Sequence, residues 1–146
     1  MYDAQTRRAI EVLDGQLPRD AVTEIWESAL RAAWDARPVW FHGDVAPGNL
    51  LVRDGALAAV IDFGTCGVGD PACDVVIAWT LLSGASREAF RARLGVDAGT
   101  WAPGRGWALW KALISYAGTP HRDSAASAEA KRVIDEILTE YAQAQV

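Results

Sequence analysis

The sequence predicts a mainly α-helical domain with one small β-hairpin, an α+β fold. Three observations predict it. Apolar residues recur at three- and four-residue spacing before residue 37 and after residue 72. Between those stretches the pattern breaks into short apolar runs, two of which flank Asp54-Gly55, a strong hairpin dipeptide. The chain has 146 residues, 51% hydrophobic and 23% charged, enough to bury one core, so a single domain over 1–146 is expected.

The elements follow in order. Ala9, Ile10, Val12 and Leu13 give a short helix over Gln5–Leu13, ended by Gly15. Val22, Ile25, Trp26, Ala29, Leu30 and Ala33 give a second helix over Pro18–Ala36, with Pro38 marking its end. Val39–His42 reads as a short buried strand, and Leu50–Arg53 and Leu57–Asp62 as the hairpin strands. The glycines of Gly64–Pro71 predict a loop. Ala72–Leu82 is apolar nearly all round, which predicts a buried helix closed by Gly84. Ser86 can cap a helix through Leu94, stopped by Gly95. A loop with Pro103, Gly104 and Gly106 precedes a helix over Trp107–Tyr116, which Gly118 stops. The last helix runs over Ser127–Tyr141, with Val133, Ile134, Ile137, Leu138 and Tyr141 on one face. No internal repeat or low-complexity linker is present.

Composition narrows the function classes. Net charge is −5 with no basic patch, which argues against nucleic acid and is compatible with a cationic substrate. Cys66 and Cys73 are too few for a disulfide framework and have no histidine at metal-site spacing; they read as reduced thiols in a cytoplasmic protein. The N-terminus lacks the apolar run of a signal peptide. Val75–Leu82 is too short to span a membrane. Seven tryptophans read mostly as core. Gly64, Gly67 and Gly69 make no dinucleotide fingerprint, and His121 reads as a surface residue.

The chemistry concentrates in Trp40–Thr65. Asp44 and Asn49 flank Pro47-Gly48, a loop tight enough to aim both side chains into one cleft. The hairpin carries the chain out and back, leaving Asp62 near Asn49. A carboxylate and an amide oxygen are hard ligands suited to Mg²⁺, and Asp44 is then free to accept a proton from a hydroxyl. The plain alternatives are a turn-forming Asp44, a loop-capping Asn49 and a strand-closing Asp62.

The order His42-Gly43-Asp44, Asn49, Asp62-Phe63-Gly64 resembles the catalytic-loop and D-F-G motifs of the protein-kinase-like fold. Gly43 in place of the kinase arginine, followed by Gly-Asp-Pro-Ala-Cys-Asp at 69–74, resembles the aminoglycoside phosphotransferase family of small-molecule kinases. The motifs cover Val39–Thr80, and the flanking helices fit the family's C-terminal helical lobe by pattern alone.

The resemblance implies an ATP- and Mg²⁺-dependent O-phosphotransferase. Asp44 would be the catalytic base, and Asn49 and Asp62 the metal ligands that hold Mg²⁺ on the nucleotide. His42 would brace the loop and Asp74 would tie down its backbone, unless Asp74 is a plain helix N-cap. The family's fold also implies an N-terminal nucleotide lobe with a strand-borne lysine. Lys111 and Lys131 both follow the D-F-G segment in predicted helices, so that lobe is expected to be absent.

A lone C-terminal lobe would expose apolar surface, and a homodimer through exposed tryptophans is expected. The acceptor is a small-molecule hydroxyl, cationic if Asp97, Asp123 and Glu129 act beside Trp101, Trp107, Trp110 and Tyr116. A non-catalytic binding module derived from such a lobe is the alternative. A metal-dependent phosphate-ester hydrolase is weaker, because no second metal cluster is seen.

Overall fold

The computed structural model describes residues 1–119, 121 and 123–144. Among the described residues, six α-helices and four short strands follow in order. They are α1 (Tyr2–Val12), α2 (Arg19–Arg31), β1 (Val39–Phe41), β2 (Leu50–Arg53), β3 (Ala56–Val60) and β4 (Gly67–Gly69), then α3 (Ile77–Thr80), α4 (Gly84–Leu94), α5 (Ala98–Gly118) and α6 (Ala125–Gln143). Helix α5 is the axis: α1, α2, α6 and the 3₁₀ segment Pro71–Val76 all pack on it. Trp79, Ile25, Leu109, Leu113, Ile134 and Ile137 are fully buried there. Each such side chain contributes about 1.5–3 kcal/mol.

The strands form two antiparallel pairs, β1 with β4 and β2 with β3. The expected hairpin is present, with Leu50 opposite Val60 and Arg53 opposite Ala56 around the Asp54-Gly55 turn. Both turn residues have positive φ, as a type I′ turn requires. The hairpin stands off the core: Leu51, Val52 and Leu57 are exposed.

Several boundaries differ from expectation. Helix α2 ends at Arg31 rather than Ala36, because Ala32 is already extended and the chain runs out toward β1. The expected loop Gly64–Pro71 contains β4, which pairs with β1 as Trp40 to Val68. Gly67 is needed there, since a Cβ would lie 2.6 Å from the Phe41 ring. The expected helix Ala72–Leu82 is a 3₁₀ segment followed by the short α3. Ser83, not Ser86, is the N-cap of α4; the Ser86 hydroxyl accepts the Ser83 N–H at 3.1 Å. Helix α5 runs unbroken through Pro103, Gly104 and Gly106, which were expected to form a loop. Those glycines are packing contacts: a Cβ on Gly104 would lie 2.8 Å from the Val75 Cβ, and one on Gly106 2.4 Å from the Ala29 Cβ.

Most of the tryptophans are buried or half-buried. Trp26, Trp79 and Trp101 are buried, Trp34, Trp107 and Trp110 half-buried, and Trp40 exposed. Much of the exposed apolar surface lies on the strands and the segments beside them, at Trp40, Val52, Leu57, Ile61, Phe63 and Val68. Among the described residues no helix is long and apolar enough to cross a membrane.

Candidate functional site

The loop after β1 is fixed from beneath by Asp74. Its Oδ2 accepts the His42 N–H at 2.7 Å and its Oδ1 the Gly43 N–H at 2.8 Å. Asp74 does not cap its own segment; Asp70 does, accepting the Ala72 N–H at 2.9 Å. Such charge-assisted bonds contribute about 1.5–3 kcal/mol each. Asp74→Asn keeps the shape but offers one oxygen to two donors. It is expected to cost about 1–3 kcal/mol and to speed hydrogen exchange at the His42 and Gly43 amides, which NMR reads directly.

Gly43 turns the chain at φ +87°, and the loop crosses so close to Thr65 that an added Cβ would lie 2.3 Å from the Thr65 carbonyl oxygen. The Thr65 hydroxyl donates to the His42 carbonyl at 3.0 Å, locking the two motif loops together. His42 is buried. Its Nε2 lies 2.9 Å from the Ile61 carbonyl, and its Nδ1 accepts the Asp44 N–H at 3.2 Å. That pattern requires the Nε2-protonated tautomer. The imidazole thus ties the loop bearing Asp44 to the end of the hairpin that leads to Asp62. The Phe63 ring packs on it at 4.6 Å.

Asp44 is held at both oxygens. Oδ2 accepts from the Asn49 amide at 3.2 Å, and Oδ1 accepts from Lys111 Nζ at 3.0 Å. Asn49 Nδ2 also donates to the Asp44 carbonyl at 2.9 Å, so its amide oxygen faces away from Asp44. The Ile61 N–H donates to the Asn49 carbonyl at 3.0 Å, which places Asp62 one residue beyond Asn49's partner across the hairpin. Asp62 has φ +63° and ψ +64°, left-handed for a non-glycine residue, and is exposed. Asp54 in the hairpin turn has the same left-handed backbone, which aspartate tolerates better than most side chains.

Among the described residues, no group of three or more His, Cys, Asp or Glu forms a metal cluster. Asn49 and Asp62 offer two hard oxygens. That fits Mg²⁺, which takes few protein ligands and keeps waters and phosphate oxygens in its shell.

Asp44 and Lys111 line a cavity of about 370 Å³ with Tyr2, Val76, Trp107 and Trp110. Cys73 also lines it; burial pushes its thiol up to about 11, so it stays protonated and unreactive near neutral pH. Of the residues considered for the acceptor side, Trp107 and Trp110 reach this cavity. Asp97 instead caps α5 through the Thr100 N–H at 3.0 Å, and the buried Trp101 donates to Glu140 at 3.1 Å. Tyr116 packs against the core, and Asp123 is exposed. Glu129 borders a neighbouring cavity. Lys111 and Tyr2 are site residues that the motifs did not point to. Lys111 lies four residues after Trp107, one turn along the same face of α5, which is the signal that could have found it.

Two solved structures are similar to this chain. One is aminoglycoside phosphotransferase APH(2'')-Ib bound to ADP, at 21% identity and TM-score 0.48, covering 93% of this chain and 50% of that one. The other is the ternary complex of APH(2")-IIa with streptomycin and ATP, at 19% identity and TM-score 0.46, covering 94% and 49%. The chain thus spans about half the length of each. No curated protein matches it. Residues 2–113 match the phosphotransferase enzyme family, APH, and this match takes in both motif loops and most of the helical core. The chain belongs to the APH phosphotransferase family.

Proposed function

We propose that the chain is the catalytic and acceptor-binding lobe of an ATP- and Mg²⁺-dependent O-phosphotransferase acting on a small-molecule hydroxyl. One observation carries this reading: Asp44 borders a cavity of ligand size on a loop whose backbone is pinned by Asp74 and His42. Transfer of a phosphoryl group needs chiefly positioning and charge neutralisation. Asp44 would orient the acceptor hydroxyl and take its proton. Asn49 and Asp62 would hold Mg²⁺, whose charge, when bound, offsets that of the phosphates. His42 and Asp74 would hold the loop and touch no substrate. A nucleotide lobe from outside these residues would cover exposed apolar residues of the hairpin such as Val52 and Leu57. The two free cysteines support a reducing, cytoplasmic setting.

Calorimetric titration of the chain with ATP tests the metal and nucleotide roles. Binding is expected with Mg²⁺ and not with EDTA, and Asp62→Ala is expected to weaken it by at least about tenfold. Binding indifferent to both metal and Asp62 defeats the assignment; no binding at all favours a non-catalytic module.

A further inference from the structure

The phosphotransferase reading leaves the chemistry of the acceptor open, and the cavities along α5 bear on it. Trp107 and Tyr2 separate the Asp44 cavity from a second one of about 300 Å³ between α1, α2 and α5. Lys111, Val45 and Val76 separate it from a third of about 380 Å³ between α5 and α6. Asp44 therefore borders the middle one of three neighbouring cavities along α5.

The walls are aromatic and aliphatic. Tyr2, Trp107 and Trp110 pack edge to face, with centroids 4.8, 4.8 and 5.5 Å apart. Their planes stand 67°, 76° and 84° apart, so the rings fill much of the space beside one another and offer the cavity a mixture of faces and edges.

Free negative charge is scarce. Among the described residues lining the three cavities, the carboxylates are Asp3, Asp44 and Glu129, and Asp3 accepts from Arg7 at 2.9 Å and Trp26 at 2.8 Å. Asp44 is paired with Lys111. Glu129 takes two bonds from Arg132, at 2.6 and 2.9 Å, which hold its carboxyl below the ordinary range. Asp97 lies fourteen residues before Lys111 on α5, about 20 Å along the axis at about 1.5 Å per residue. Lys111 itself places a positive charge where the cavities meet, repelling a cation as it approaches Asp44.

We infer that the acceptor site selects a neutral, ring-bearing hydroxyl compound, one that lays its apolar face on the Trp107 wall, and discriminates against polycations through Lys111. This rests on the phosphotransferase reading for the word acceptor; the binding preference itself does not need a nucleotide.

The test is calorimetric titration of the nucleotide-free chain with two probes at equal ionic strength: phenyl β-glucoside, neutral, and streptomycin, polycationic. The glucoside is expected to bind at least about tenfold more tightly, with Trp107→Ala weakening it by about tenfold or more. Lys111→Glu, a surface change that leaves the fold intact, is expected to raise streptomycin affinity by about tenfold and to make it salt-dependent. Tighter streptomycin binding by the unsubstituted chain overturns the inference. So does absence of glucoside binding, or a Lys111→Glu chain with unchanged streptomycin affinity. Failure of the Mg²⁺–ATP titration together with the expected probe pattern would remove the phosphotransferase reading and leave the ligand preference standing.

Discussion

Gly43→Ala is expected to destabilise the chain by at least about 3 kcal/mol, lowering its melting temperature by roughly 10 °C at this chain length. Two effects add. A side chain at φ +87° is strained whatever surrounds it. Here the new Cβ would also lie 2.3 Å from the Thr65 carbonyl oxygen, a backbone atom that cannot swing aside as a side chain can. Gly55→Ala is the control. It has φ +77° and nothing within 4 Å of an added Cβ, so it carries the strain without the collision and should cost about 1 kcal/mol. Thermal unfolding followed by circular dichroism compares the two, and equal losses would refute the collision. Relief of the clash requires the His42–Asp44 loop to part from Thr65. The Thr65-to-His42 hydrogen bond would go with it, and the same substitution should therefore disturb the orientation of Asp44.

That collision explains why the kinase-type arginine is replaced in this motif. With Thr65 packed against the turn, no side chain fits at position 43, and Asp74 can hold both neighbouring amides directly. The geometry of the candidate site was legible in sequence where it is local. Asp44 and Asn49 share one loop, and Asp54-Gly55 announces the hairpin that returns the chain to Ile61, whose N–H reaches the Asn49 carbonyl. Lys111 is 67 residues from Asp44; its spacing from Trp107 puts the two on one face of α5, but which way that face turns depends on the packing of α1, α2 and α6 around the helix.

The same limit shaped the fold. Pro103, Gly104 and Gly106 carry loop propensity, yet they sit in α5, because Gly104 and Gly106 let the helix close onto the Pro71–Val76 segment and α2. Tertiary contact overrides a propensity of about 1 kcal/mol per glycine. Strand β4 was hidden for a related reason: glycines disfavour strands, but at position 67 only glycine leaves room for Phe41. The hairpin and the long amphipathic helices were readable because their signals, a turn dipeptide and a repeating apolar face, are complete within a few residues.

Asp44→Asn is expected to abolish most turnover while leaving the fold intact. In an enzyme carrying its nucleotide lobe, kcat should fall by about 10²–10⁴-fold, the range for a positioned general base. Asparagine matches aspartate in shape and can still accept a hydrogen bond from Lys111 or Asn49, but it cannot take the acceptor's proton. Stability should change by less than about 1 kcal/mol, because the Asp44–Lys111 pair is solvent-exposed, with side chains 40% and 54% accessible. Mg²⁺–ATP affinity should move much less than kcat, since the proposed metal ligands are Asn49 and Asp62. Steady-state phosphotransfer, nucleotide titration and thermal unfolding of the one variant separate these effects. Lys111→Met sharpens the result. If Lys111 only restrains the resting carboxylate, its loss should leave kcat within about tenfold, whereas Asp44→Asn should not. A variant with asparagine at 44 that turns over at the unsubstituted rate would move the proton-accepting role elsewhere and leave the cavity as a binding site alone.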